Sequence, residues 1–317
     1  MRRNLIWIIL LILVTACGRQ PASSTGTAES PASTDAPPQP AATESAPDFT
    51  VLASTTLLAD IAQNVAGSRI HIGSVLPVGA DPHSYQYTPQ DVTKVADAQL
   101  LILFDDKNYE RFLEPLLYAA NGNMEFVYGS VGVSKRIDPG MGGFDPHIWL
   151  DPNNIILSVE NIREGLTHLD PDGAAEFKSN ADAYVAELQA LDAWIVEQAS
   201  QIPVEKRLLV TNHESLGYFA ERYGFTVVGS VLESFSADAS PSAQQMAALI
   251  DQIKSSGAPA IFLDAGDNPA LAQQIAEETG VRVITDLHLE SLTDGAPAGT
   301  YIEMMKYNVT QIVNALK

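Results

Sequence analysis

From Thr50 onward the chain alternates short apolar runs with longer stretches whose apolar residues recur three and four apart. The runs read as strands and the periodic stretches as amphipathic helices. Residues 50–54 open as a strand, and 57–65 follow as a helix closed by Gly67. Residues 70–76, 100–104 and 124–128 predict three more strands, with helices from about Pro89 and over 109–120. Residues 153–168 predict another helix. The stretch 172–201 then carries Phe177, Tyr184, Leu188, Leu191 and Ile195 at helical spacing, without proline and without glycine after Gly173, which predicts one long helix. A second alternation follows, with strands over 207–211, 225–231, 259–264 and 281–285 and a closing helix from Tyr301.

Strand and helix in strict alternation imply parallel sheets with crossover helices, an α/β fold. Four strands on either side of the long helix predict two parallel-sheet lobes, residues 49–171 and 203–317, with helices on both faces. The helix over 172–202 bridges them as a linker. In such lobes ligands bind beyond the carboxyl ends of strands, so a site is expected in the cleft between the lobes.

One tripeptide occurs twice, as Asp81-Pro82-His83 and Asp145-Pro146-His147, each with an aromatic residue two positions on (Tyr85, Trp149) and a proline soon after (Pro89, Pro152). Proline fixes its own backbone and restricts the residue before it, so each histidine leaves a stiffened loop. Two further positions lie at or just beyond strand ends: His213, after Val210-Thr211-Asn212, and Asp286, after Val283-Ile284-Thr285. Three neutral imidazoles and a carboxylate suit one tetrahedral Zn²⁺ per chain, and a nitrogen-rich set ranks Zn²⁺ above the alternative, Mn²⁺. A closed set of four donors leaves no position for a reacting water, which favours carriage over catalysis. His71 is expected to face solvent and His168 to sit near a helix end. His288 lies close enough to Asp286 to be a candidate contact.

A rival reading is a zinc hydrolase in which His83, His147 and His213 hold the metal and Glu214 acts as general base. The chain has no His-Glu-x-x-His motif and no nucleophile elbow to support it. A surface adhesin would explain none of the ligand spacing.

The amino terminus changes the picture of location. Arg2 and Arg3 precede an apolar run over 5–14 and then Thr15-Ala16-Cys17, the pattern of an export signal over 1–16. Cys17 is the only cysteine among 317 residues, so it reads as an acylation site and not as half of a disulfide. Residues 17–48 are rich in Pro, Ala, Ser and Thr and predict a disordered tether with a reach on the order of 30 Å. The formal net charge of −21 argues against nucleic acid as a partner.

Val14-Thr15-Ala16-Cys17 resembles the bacterial lipobox. Together with Val78-Gly79-Ala80-Asp81-Pro82-His83, Asp145-Pro146-His147-Ile148-Trp149-Leu150, Thr211-Asn212-His213 and Met304-Met305-Lys306-Tyr307-Asn308, it resembles the zinc/manganese-type (TroA-like, cluster 9) solute-binding lipoproteins of ABC transporters. The resemblance runs through essentially the whole chain from Thr50. It implies metal ligands at His83, His147, His213 and Asp286, with glutamate at position 213 in manganese-selective relatives. It implies a permease and a separate ATPase subunit as partners, which agrees with the absence of a Gly-x-x-x-x-Gly-Lys loop. It also implies a monomer lipid-anchored to the bacterial cell membrane, on the periplasmic side or cell surface. Many zinc members carry a long His- and acid-rich loop between the first two ligands, whereas residues 129–144 are short and hold no histidine.

Overall fold

The computed structural model describes residues 49–105, 113, 116, 124–137, 143–232 and 241–317. The export signal, Cys17 and the tether lie outside them, as does the predicted helix over 109–120 apart from Leu113 and Leu116, both buried. No helix of the described residues is long and apolar enough to cross a membrane.

The first lobe contains β1 (Val51–Ala53), α1 (Thr56–Ala66), β2 (Ile72–Ser74), α2 (Pro89–Ala96), β3 (Leu100–Leu103) and β4 (Glu125–Tyr128). Local chemistry fixes the helix ends. Thr55 caps α1 by accepting the Leu58 N–H, and α2 begins with Pro89 after a reciprocal cap between Thr88 and Asp91. The helix α3 (Pro152–Leu169) likewise starts on a proline behind an Asp151 cap. The expected long helix is α4 (Ala174–Ser200), entered through a 3-10 turn over Pro171–Gly173.

Beyond α4 come β5 (Leu208–Thr211), α5 (Gly217–Tyr223), β6 (Thr226–Ser230), α6 (Ala243–Ser256), β7 (Ala260–Asp264), α7 (Ala270–Thr279), β8 (Arg282–Leu287) and α8 (Tyr301–Leu316). Both sheets are parallel and share one strand order, β2-β1-β3-β4 and β6-β5-β7-β8. The chain pairs its second strand on one side of the first and its third strand on the other. Each sheet therefore has a switch point, β1/β3 in the first lobe and β5/β7 in the second, beyond which a crevice opens.

The buried residues of α4 are Phe177, Ala181, Tyr184, Leu188, Leu191, Ile195 and Ala199, a stripe at three- and four-residue steps. They join one continuous apolar cluster that includes Leu57 and Ile102 of the first lobe and Phe262 and Val309 of the second. Smaller clusters cover the outer face of each sheet. The lobes thus share a core along α4.

Candidate metal centre

Both Asp-Pro-His tripeptides fold into the same local device. The Asp81 carboxylate accepts the His83 N–H at 2.8 Å, and the Asp145 carboxylate accepts the His147 N–H at 3.0 Å. An aspartate bonding the backbone two residues on makes a compact turn, and the proline between stiffens it. The repeat thus encodes two rigid imidazole mounts. His83 rides on the loop after β2, and His147 on the loop that leads into α3. His213 lies two residues beyond β5, at the second lobe's switch point.

The three rings converge, with centroids 5.2, 5.3 and 5.4 Å apart. The fourth donor is Glu290. Its carboxylate lies 3.3 Å from His147 Nε2, 3.4 Å from His213 Nε2 and 3.7 Å from His83 Nε2, and the two nitrogens of His147 and His213 are 3.2 Å apart. All four donor atoms fall within 4.8 Å of one another. A tetrahedral ion with bonds of roughly 2.0–2.1 Å has donor–donor edges of roughly 3.3 Å. Three of the measured separations, 3.2, 3.3 and 3.4 Å, are close to that edge, so His147, His213 and one Glu290 oxygen are spaced as ligands of one transition-metal ion, with His83 close by.

The structure brings together His83, His147 and His213 and does not bring Asp286 to them. The strand β8 runs two residues further than its sequence pattern suggests, to Leu287, which pairs with Asp264. Leu287 is buried, so Asp286 points to the opposite, exposed face. There its carboxylate accepts the Tyr307 hydroxyl at 2.6 Å and lies 3.4 Å from the Gln311 amide. His288 is not among the gathered donors either. Its backbone pairs with the Asn308 side chain, and its ring lies 5.5 Å from that of Tyr307. His71 is exposed, and the His168 side chain is exposed beside Glu125.

Sequence reasoning missed Glu290, yet a signal was present. Glu290 stands among Leu287, Leu289 and Leu292, all buried, just past a strand end. A carboxylate in such a run must find cationic or metal partners.

Charge explains the resting state. The Glu290 carboxyl is held well below the usual range because the imidazoles, His147 foremost, outweigh the upward push of burial. Burial lowers His147 too, but Glu290 and the hydrogen bond to Asp145 outweigh it and raise the ring to about 10. Burial prevails at His83, which falls to about 3. The Glu290 carboxylate thus favours a proton on His147, while burial disfavours one on His83.

Behind His147 runs a second layer. Asp145 Oδ1 lies 2.8 Å from His147 Nδ1, and since an ionised carboxylate only accepts, Nδ1 carries the proton and Nε2 faces the other donors. The Arg136 guanidinium donates to Asp145 at 2.8 Å and to Glu214 at 2.9 Å, and the Arg136 N–H donates to the Tyr218 hydroxyl. Gly217 makes room for this, because a Cβ there would lie 1.9 Å from the guanidinium. Glu214, the base of the hydrolase reading, is thus engaged in an ion pair with Arg136.

Residues 51–315 match the family model described as zinc-uptake complex component A, periplasmic (ZnuA). The chain belongs to this ZnuA family. It is 29% identical over 314 residues to the manganese-binding lipoprotein MntA of Halalkalibacterium halodurans, covering 99% of this chain and 97% of that protein. It is 31% identical over 276 residues to the metal ABC transporter substrate-binding lipoprotein SsaB of Streptococcus sanguinis, covering 84% and 88% of the two chains. The solved periplasmic zinc-binding protein TroA of Treponema pallidum superposes with a TM-score of 0.76 at 29% identity, over 84% of this chain and 98% of TroA. ZnuA-family chains are the extracytoplasmic metal-binding components of ABC transporters and not enzymes, which removes the hydrolase reading. The divalent metal is cargo.

Proposed function

We propose that this chain captures one Zn²⁺ between its lobes, on His83, His147, His213 and Glu290, and hands it to an ABC permease for import. The observation that carries the reading is the convergence of three imidazoles and one buried carboxylate, with donor atoms within 4.8 Å of one another and three of the separations at 3.2–3.4 Å. A small, nitrogen-rich, four-donor cage suits Zn²⁺ better than Mn²⁺, which is held more readily by oxygen donors in larger shells. The Glu290 carboxylate replaces the Asp286 of the sequence reading. Cys17 would carry the lipid that anchors the chain, with 18–48 as its tether, and energy would come from the transporter's separate ATPase.

The test is metal analysis of protein purified without added metal, followed by competition titration of Zn²⁺ against Mn²⁺ with a chelator. The expected result is one Zn²⁺ per chain, displaced by Mn²⁺ only at large excess. Preferential retention of Mn²⁺ under zinc competition would overturn the zinc assignment. Mass spectrometry of Cys17 from a membrane fraction checks the anchor, and an unmodified thiol would refute it.

A further inference from the structure

Glu290 follows β8 in sequence, which assigns it to the second lobe. Its neighbours are bonded to the first. The Leu289 carbonyl accepts the Trp149 indole N–H at 2.7 Å. Ser291 Oγ accepts the Gly79 N–H at 2.8 Å and lies 3.1 Å from Thr56 Oγ1, which itself accepts the Leu292 N–H at 3.0 Å. Further along, the Tyr301 N–H donates to Asp60 at 2.9 Å. Gly79, in the loop that carries His83, donates to the arm, and Thr56, in the first turn of α1, accepts from it, so both hydrogen bonds tie the arm to the first lobe. On the other side, Leu289 is tied to the second lobe by its N–H on Asp264. Leu289 is therefore the crossing point: its N–H belongs to one lobe and its carbonyl to the other.

We propose that Ser291 and Thr56 are positioning residues that clip the Glu290 arm to the first lobe. The ion then rests on a three-armed half-site of His83, His147 and Glu290 that moves with the first lobe. Among the described residues, His213 is the single donor brought by the second lobe's sheet. This rests on the metal-capture reading above. It implies that separation of the lobes withdraws His213 first and leaves a three-donor site open to water and to the next acceptor. Two hydroxyls 3.1 Å apart, which between them accept two backbone N–H groups, also fix the direction of the intervening backbone, so the carboxylate is aimed before the ion arrives.

The experiment measures Zn²⁺ affinity by chelator competition for Ser291→Ala and Thr56→Val in three backgrounds: the unmodified chain, His213→Ala and Glu290→Ala. Loss of a group that orients a ligand typically weakens metal binding about tenfold or more. That loss is expected in the unmodified and His213→Ala backgrounds and is expected to vanish in Glu290→Ala, where no carboxylate remains to be aimed. Thr56→Ser keeps the hydroxyl and should bind as the unmodified chain does, with thermal melts confirming the fold of each variant. Equal losses in all three backgrounds would show that the hydroxyls merely support the fold and would overturn the proposal. Unchanged affinity in the unmodified background would overturn it too. Full Zn²⁺ affinity in Glu290→Ala alone would instead remove the site reading, and the clip with it.

Discussion

Asp145 accepts the Nδ1–H of His147 at 2.8 Å while both groups are buried from solvent. This one contact sets the tautomer, turns Nε2 toward Glu290 and makes the ring a stronger ligand. Asp145→Asn keeps the size but loses the charge and one acceptor. Zn²⁺ affinity should fall by about 10- to 100-fold. The loss should shrink at lower pH, since the same change eases competition from protons on His147. Titration at two pH values checks both parts.

The carboxylate assignment separates cleanly. Glu290→Gln removes the anionic donor from among three imidazoles, and Asp286→Asn alters a residue hydrogen-bonded to Tyr307 on the exposed face of β8. Strong loss of Zn²⁺ binding is expected for the first, and unchanged binding for the second. Competition titration of the two proteins decides between them, and the reverse pattern would restore Asp286 as the ligand.

Protons compete with the metal in a direction the site fixes. His147 is raised to about 10, so it is protonated at neutral pH in the metal-free chain, whereas His83, lowered to about 3, is not. The metal needs the His147 Nε2 lone pair, so capture must expel that proton while Nδ1–H stays on Asp145. Between pH 7 and 8.5, about one proton should be released per ion, and affinity should rise roughly tenfold per pH unit. Calorimetry in buffers of different ionisation enthalpy measures the release directly, and its absence would contradict the ion pair at rest.

How much of this was legible in the sequence depended on range. The strands, the long helix and the three histidines follow from local pattern, because the Asp-Pro-His turn is built from residues two apart and His213 stands at a strand end. The carboxylate gathered with the histidines stands four residues after the expected one, because the apolar pattern of β8 stops at Ile284 while its pairing with β7 continues to Leu287. A strand end read from composition is thus too early when the partner strand supplies the hydrogen bonds. The contacts that organise the site cross still longer distances: Arg136 to Glu214, and Gly79 to Ser291. No local periodicity encodes such pairs. The glycine at 217, with its space filled by a guanidinium, is intelligible only once both segments are in place.

His213 is the position where metal choice can be moved. Its Nε2 faces both His147 and Glu290, and Asp267 and Asp264 lie in the surrounding shell, where burial raises both carboxyls, Asp264 to about 6. Replacing this imidazole by a carboxylate puts a second anionic oxygen donor beside Glu290. That hardens the site and permits bidentate contact, which suits Mn²⁺ and crowds a tetrahedral Zn²⁺ shell. Added repulsion from Glu290 and the neighbouring aspartates weighs most where the ion compensates it least, in the metal-free protein. His213→Glu should therefore lower the Zn²⁺/Mn²⁺ affinity ratio by about tenfold or more, mainly by weakening Zn²⁺. The lobes should stay folded, since the side chain stands beyond a strand end and not in the shared core along α4. Paired competition titrations of both metals on both proteins give the ratio, with circular dichroism as the folding control. An unchanged or higher ratio in a folded variant would show that selectivity is set elsewhere in the cage, and the zinc assignment would lose its chemical basis.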